Sequence, residues 1–557
     1  MRDVLQLFHT VRYLRGEQVW FQLWNRLKRR LVKPQKFFER YRPPPLADAQ
    51  PYDSPFLRPE IGLNTSQSLL QGDFCFVNQW ESSSWPPEWD DNDRPKLWAY
   101  NLHYFDWIFT LEFADATIAM TDWIEHCHPS RHTSGWEPYP TSLRITNWLG
   151  YFALSPSHRE SLTPQWRDAL WNSLALQTDW LSRNLERHLL GNHLFENGVA
   201  LCLMGSVYTG DRADRWYALG RKVIDRELKA QFGADGMHLE LAPMYHVRMV
   251  YLLQLLCQFG RDELRESCQP VSRRARKALA VMTHPDGEIA LFNDSVLGVY
   301  HRSDELIDPM TTSGRLECGP LELPEAGYFG YRSPEGDYVM VKAGMIGLNY
   351  QPGHAHGDLF SFEMSVRGRR IFTDTGIGAY VPGDARALTR STAAHNTVEI
   401  EGEDQADFWD CFRVGRRPKI VTRTWEPREK GFLLDVVHDG YERLPCRARC
   451  RRRLSLCMET REFRICDELT ARSFPVAYCI YLHLHPDCRV VITGLREARV
   501  DTVSGETLKV CYEGEGELGV SESPYFDRFG VARPRAVLTF TGTMDEDPRM
   551  VEMCLSF

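Results

Sequence analysis

Two hydrophobic periods divide this chain. From about Leu97 to Thr283, apolar residues recur at three- and four-residue steps, as in TPQWRDALWNSLALQTDWLSRNL, RADRWYALGRKVIDRELKAQF and MYHVRMVYLLQLLCQFG. That is the pattern of a helix with one buried face. The intervals LLGNH, YTGDR and FGADG break it with Gly, Asn and Asp. At least six helices in series, with no strand pattern between them, predict an all-α domain of helical hairpins. Near residue 320 the period shortens. DYVMVKAG, HNTVEIEG, FLLDVVHDGYE, VAYCIYLHLH, RVVITGL, LKVCYEG, RAVLTFTG and MVEMCLSF are short β-rich runs with turn-rich intervals, and they predict antiparallel sheets packed as a sandwich. Helices first and sheets after imply two domains with a cleft between them.

The first 95 residues fit neither pattern. In VWFQLWNRLKRRLVK, Trp20, Leu23, Trp24, Leu27 and Leu31 fall at helical spacing, with Arg26, Lys28, Arg29 and Arg30 between them. Such a helix either docks on the main body, the preferred reading, or lies on a membrane surface. The stretch from Tyr41 to Asp93 is rich in Pro, Ser and Asp and reads as a wrapped linker with little regular structure. The expected division is therefore 1–95, 96–320 and 321–557.

Length and composition narrow the function classes. A chain of 557 residues with 43% apolar residues and 12% aromatics is globular and too long for one ordinary core. Its 16 Trp and 22 Tyr suit sugar stacking or large cores equally. A net charge of −9 argues against a nucleic-acid partner, and an anionic substrate would need a locally basic cleft. No run of about 18 apolar residues occurs, so no transmembrane span is expected. The start lacks the uninterrupted apolar stretch of a secretion signal. Fifteen cysteines, many of them in apolar or strand-like runs, read as reduced thiols and not as a disulfide framework. Cys446, Cys450 and Cys457 lie close together without a CxxC pair, a poor zinc signature. The expected location is the cytoplasm, at the periphery of the inner membrane, with the periplasm as second choice.

The densest candidate chemistry lies between Gln351 and Asn396. QPGHAHGDLFSFEMSVRGRRIFTDTGIGAY, followed by HNTVEI, carries His354, His356, Asp374 and His395. The alternation from Phe360 to Val366 and the β-branched run Ile371 to Thr375 favour strands. In extended chain, His354 and His356 would share a face. Two imidazoles and a carboxylate are a usual zinc ligand set, and they are equally separate hydrogen-bonding groups of a sheet. The helical half has three unusually polar stretches: Arg144, Asn147 and Trp148; Asn192, His193, Glu196 and Asn197; then Glu240, Tyr245 and His246. His193 shares a helical face with Glu196 and Asn197. Singly, each has a bland account as a cap, a satisfied core histidine or a buried tyrosine.

Together, and in this order, these segments resemble the heparinase II/III-like polysaccharide lyases, including members linked to bacterial capsule and exopolysaccharide biosynthesis. The matching pieces are Asn192-His193 with Glu196, then Tyr245 in PMYH, the GHAHGD element, FTDTG, and the AAHNTV element. The resemblance runs from about Leu97 to Asn396. It implies an incomplete α/α toroid of helical hairpins followed by an antiparallel β-sandwich, with the site in the cleft between them.

It also implies roles. Such lyases cleave a uronate-bearing anionic glycan by β-elimination, removing the C5 proton and expelling the C4 oxygen. The resemblance assigns Asn192 and His193 to the substrate carboxylate, Tyr245 and His354 to proton transfer, and Tyr380 as a second tyrosine. Arg144, by charge and position, and with it Trp148 and Glu196 are candidate substrate contacts, although the charge of Glu196 would repel an anion and could instead orient His193. His356, Asp374 and His395 match a two-His, one-Asp site for a structural zinc ion. The expected partner is an anionic polysaccharide, with no nucleic acid, and with peripheral membrane contact through the N-terminal basic helix. Two other readings stand beside the lyase. One is a catalytically silent glycan-binding or assembly protein. The other is a glycoside hydrolase, which would need two carboxylates flanking the scissile bond.

Overall fold

The structure, a computed structural model, describes residues 2–31, 41–46, 62–89, 93–128, 133–153, 158, 161, 163–307 and 316–557. Among them, helices Lys96–Tyr104, Phe113–His126, Pro138–Ala153, Pro164–Ser182, Gly191–Val207, Asp211–Gln231, Pro243–Phe259 and Asp262–Val281 follow in series. Local chemistry starts several of them. Thr163 caps the Pro164–Ser182 helix by accepting from the Trp166 amide at 3.3 Å, with Pro164 in the first turn, where its missing N–H costs nothing. The Gly191–Val207 and Asp211–Gln231 helices pack closely enough that a Cβ on Gly220 would meet Cys202 Sγ and the Gly198 carbonyl at 2.8 Å. One large core, from Leu69 through Trp98, Trp148, Leu201 and Leu253 to Phe529, fills the helical half.

From Gly319 onward the chain is sheet. Strands Gly319–Leu323, Tyr328–Arg332, Tyr338–Lys342, Phe362–Val366 and Arg369–Phe372 form an antiparallel five-stranded meander. All residues of its second, third and fourth strands are buried. Successive side chains point to opposite faces, and both faces are covered. Tyr328, Tyr338 and Met340 pack with Met237, Leu241, Met282 and Phe292 of the helical half, whereas Phe329, Val339 and Val341 join the core of the sandwich. Beyond it lie an eight-stranded sheet and a four-stranded sheet, in which the strand Val398–Ile400 pairs with Val476–His483. Helical toroid followed by β-sandwich is the architecture.

Three local features depart from the sequence pattern. The stretch 41–93 contains regular structure: helix Ser66–Leu70 and the hairpin Asp73–Phe76 with Gln79–Ser82. Leu69, Phe74 and Phe76 are buried in the helical core, so tertiary burial overrides a turn-rich composition. The strand Arg449–Cys457 hides in RCRRRLSLC, where charge masks the period. Its inward positions are Cys450, Arg452, Leu454 and Leu456, and Arg452 is buried because Asp467 grips it at 2.6 and 2.7 Å. Third, 351–361 is not a strand.

The N-terminal segment forms helices Arg2–Val11 and Gly16–Leu31. The second docks by polar contacts to both halves. Gln18 Nε2 donates to the Tyr350 carbonyl at 3.2 Å, Arg226 pairs with Glu17 at 2.8 Å, and Asn25 Nδ2 lies 3.2 Å from His188 Nδ1. Lys28 Nζ donates to the Arg183 carbonyl.

Candidate active site

The site is assembled at one turn of the helical half. Leu190 and Gly191 both take positive φ, 65° and 60°, at the entry to the Gly191–Val207 helix. A β-carbon at Gly191 would meet the side-chain ends of Gln351 and Glu240, and together with the positive φ this favours glycine here. The turn presents Asn192 and His193 at the helix start. The Glu240 carboxylate accepts from the Asn192 amide at 3.1 Å, and Asn192 Oδ1 accepts from the His193 amide at 2.9 Å.

His193 is held from two sides. Its Nδ1 lies 3.1 Å from Glu186 Oε1, and its ring stacks on Tyr139 with centroids 4.2 Å apart. Burial works against its charge, but the Glu186 carboxylate more than compensates and raises its pKa above the ordinary value. Asn197, one turn further on, bonds Glu186 Oε2 at 3.2 Å and Ser142 Oγ at 3.0 Å. It buttresses Glu186.

Tyr245 projects from the first turn of the Pro243–Phe259 helix, and its ring lies 4.1 Å from that of His354 on the sheet side. Its hydroxyl is 3.1 Å from the Tyr380 hydroxyl. Burial, reinforced by neighbouring tyrosines and Asp294, holds the phenols of Tyr245 and Tyr380 well above their ordinary pKa, so both stay protonated near neutrality. Tyr245, His354 and Tyr380 thus meet where the two halves face one another, and Glu240 links His354 to the Asn192 turn, on which His193 stands. Tyr300 packs against Tyr245, and Tyr139 against Tyr104 and His193.

His354 and His356 converge, though not through the strand geometry expected of them. They sit in a turn, and the two oxygens of Asp294 bring them together: His354 Nδ1 to Oδ2 and His356 Nε2 to Oδ1, both 2.8 Å. Arg386 clamps the same carboxylate with NH1 and with NH2 at 2.9 Å. Burial would raise the Asp294 pKa, but Arg386 and the two histidines pull it well below the ordinary carboxylate range. On its other side, His354 Nε2 lies 3.4 Å from Glu240 Oε2. Glu240 therefore touches both the Asn192 turn and His354.

Asp294, Arg386 and Glu186 escaped the sequence reading, and Glu240 entered it with no role. The only signal was weak: NDS following the apolar run EIALF, and an arginine in a short helix, Asp384–Arg390, that carries no amphipathic stripe.

The three candidate substrate contacts are corrected. Arg144 is fully buried against the Trp123 ring at 3.9 Å, bonds Gln177 Oε1 at 2.9 Å, and has its pKa lowered to about 9 by burial. Trp148 is wedged edge-on between Phe105 and Trp123. Glu196 is buried and bonded to Arg248 Nε at 2.6 Å. Each is buried and engaged only by partners of the helical half, whereas Asn192, buried as deeply, stands at the Glu240 contact with His354 of the sheet half. These are packing residues.

Beneath the cleft, His356, Asp374 and His395 are all buried, with one potential ligand atom from each lying within 4.8 Å of the others. His356 Nδ1 and His395 Nε2 are buried with no hydrogen-bond partner. Because His356 gives its Nε2 to Asp294, its Nδ1 lone pair is the atom left over, as in the carboxylate–histidine–metal arrangement. Two imidazoles with an unpartnered nitrogen each and the Asp374 carboxylate, which lies 2.9 and 3.0 Å from His395 Nδ1, are of the residue types of a zinc-type donor set. Among the described residues this is the one such cluster, and Cys446, Cys450 and Cys457 form none.

Comparison with known proteins follows the same two-part division. The profile of the heparinase II/III N-terminus matches residues 100–305, and that of the heparinase II/III-like C-terminal region matches 319–552. A heparin-sulfate lyase of Pedobacter heparinus is 26% identical over 300 residues, covering 48% of this chain and 44% of the relative. One from Bacteroides stercoris is 23% identical over 377 residues, covering 60% and 51%. The chain spans about half the length of these curated relatives. Among solved structures, a heparan sulfate lyase of Pedobacter heparinus superposes with a TM-score of 0.64 at 18% identity, over 95% of this chain and 87% of that one. A heparinase III gives 0.67 at 18% identity, over 84% and 79%. With both domain profiles matched in order across most of its length, the chain belongs to the heparinase II/III-like family.

Proposed function

We propose that this protein is a polysaccharide lyase that cleaves a uronate-bearing anionic glycan by β-elimination. One observation carries the proposal. The Glu240 carboxylate joins the turn carrying Asn192 and His193, residues suited to binding a carboxylate, to His354, which packs with Tyr245 and Tyr380 as a set suited to proton transfer.

The C5 proton of a uronate is poorly acidic because its loss adds charge beside a carboxylate. The Asn192 side-chain Nδ2 and the His193 imidazolium, favoured by Glu186, supply donors where that charge develops. His354, aimed by Asp294, takes the C5 proton. The C5 electron pair forms the C4–C5 double bond as the C4–O bond breaks. Tyr245, kept protonated by burial, gives its hydroxyl proton to the departing oxygen. Tyr380, 3.1 Å away, can reprotonate it. No water is consumed.

Zinc belongs to the proposal as a structural cofactor held by His356, Asp374 and His395. When bound, it would tie the turn at 356 to the segments at 374 and 395. His354, two residues before a ligand, would then be held rigidly in the cleft.

The test is a panel of uronate polymers, including glycosaminoglycan, alginate-like and bacterial capsular chains, followed by the ultraviolet absorbance of the unsaturated uronate. Elimination predicts that each new reducing end appears with one unsaturated end. Cleavage without that chromophore would mean hydrolysis. Binding with no cleavage of any polymer would favour a glycan-binding scaffold.

A further inference from the structure

The Gly16–Leu31 helix is amphipathic in the wrong direction for a docked helix. Its protein-facing side is mainly polar: Gln18, Asn25 and Lys28 make the contacts to Tyr350, His188 and Arg183, with the half-buried Phe21 ring under Arg187 among them. The opposite side is a ridge of Trp20, Leu23, Trp24 and Leu27, at i, i+3, i+4 and i+7, which are 62, 56, 44 and 48% exposed. Helix Arg2–Val11 adds exposed Leu7, Phe8 and Val11. Scattered exposed leucines need no explanation, but a contiguous ridge of large apolar residues marks an interaction surface.

Charge identifies the partner. Residues 1–31 contain seven Lys or Arg against two Asp or Glu, in a chain whose overall charge is −9. Arg12, Arg15 and Arg26 are exposed on the same segment. A second copy pairing by this face would set basic patch against basic patch. An anionic lipid surface satisfies both features: tryptophans and leucines enter the headgroup boundary, and the flanking arginines meet lipid phosphates. No helix among the described residues is long and apolar enough to cross a membrane, so the segment would lie on the surface.

We infer that the N-terminal helix pair is a peripheral docking surface for an anionic bilayer. It is fixed to the body next to the cleft, since Gln18 bonds Tyr350, whose neighbour Gln351 abuts Gly191. Docking would keep the cleft close to the lipid surface. The inference is independent of whether the cleft turns over a glycan.

Full-length protein should be sedimented with vesicles of phosphatidylcholine alone and of phosphatidylcholine with phosphatidylglycerol. Binding is expected to the anionic vesicles only. It should weaken as salt rises towards 1 M, where the screening length is roughly 3 Å. The Trp20→Ser/Trp24→Ser variant should bind about tenfold more weakly or worse, the change expected when partial burial of aromatic surface is lost. Arg12→Glu/Arg26→Glu should weaken anionic binding in parallel. Because all four side chains are exposed, the variants should unfold at the wild-type temperature. Absence of wild-type binding to anionic vesicles, or equal binding by the tryptophan variant, would overturn the inference. So would a concentration-dependent dimer in ultracentrifugation that these substitutions abolish, with no lipid binding, since the ridge would then join two copies.

Discussion

Replacing Tyr245 with phenylalanine removes one oxygen and leaves the ring against His354 at 4.1 Å. The lost contact is a single hydroxyl–hydroxyl hydrogen bond of 3.1 Å to Tyr380. A neutral hydrogen bond contributes about 0.5–1.5 kcal/mol net. Tyr380 lines the cleft and can rehydrate, which places the cost at the lower end. Folding should therefore be nearly unchanged. The chemical step should not. If the Tyr245 hydroxyl delivers the proton to the leaving oxygen, its removal forfeits the roughly 10²- to 10⁴-fold typical of general acid–base catalysis, or about 3–5 kcal/mol of barrier. The assay is initial-rate absorbance of the unsaturated product on whichever polymer wild type cleaves, with denaturant unfolding in parallel. kcat should fall with little change in KM, because the Asn192 and His193 contacts remain. A Tyr245→Phe enzyme with near-normal kcat would refute the assignment. Tyr245 would then be a packing residue, and the acid would have to be sought elsewhere in the cleft, with Tyr380 first.

Three further outcomes follow from the same geometry. Protein purified without chelators should carry about one equivalent of zinc by elemental analysis, and His395→Ala should lose the metal together with thermal stability; metal-free wild type with an equally stable variant would remove zinc from the account. Asp294→Asn leaves Arg386 buried without its counter-charge and should cost roughly 3–5 kcal/mol in denaturant unfolding. The sign in pH is fixed by a depressed pKa: Asp294 contributes stability above its unfolded value of 3.8, lost as pH falls through the lower folded value. The variant should therefore lose stability less steeply in acid than wild type, and identical acid profiles would contradict the linkage. His193 has the opposite sign, because its folded pKa is raised above 6.5. Its charge is complete below that value and lost as pH rises through the folded one, so Glu186→Gln should shift the alkaline limb of kcat/KM downward. An unmoved limb would mean that His193 charge does not hold the substrate.

Much of this protein was readable one segment at a time. Helical hairpins follow from a 3.6-residue period in stretches such as RADRWYALGRKVIDRELKAQF, and strands such as VAYCIYLHLH from alternation and β-branching, because both patterns report a local choice of which face is buried. Asn192, His193, Tyr245, His354, His356, Asp374 and His395 could be picked out because polar groups broke otherwise apolar surroundings in a recognisable order. Where burial came from distant chain, local pattern misled. Phe74 and Phe76 sit in a turn-rich stretch and become strand because the helical core covers them. Arg144 has the charge of a substrate contact but lies in that core beside Gln177 and Trp123.

The residues that aim the site depend on contacts far apart in sequence. Asp294 is an ordinary aspartate until the sheet half brings His354, His356 and Arg386 onto its two oxygens, and Glu240 acquires a role only when the same half presents His354 to it. The same holds for the N-terminal helix, whose periodicity marked an apolar ridge without saying which way it faced. Sequence by itself determined the elements, their order and the chemical types available, since these depend on neighbours within a turn or a strand. Only tertiary structure decided which carboxylates were buried beside which cations and imidazoles, because desolvation and pairing are properties of the assembled interior.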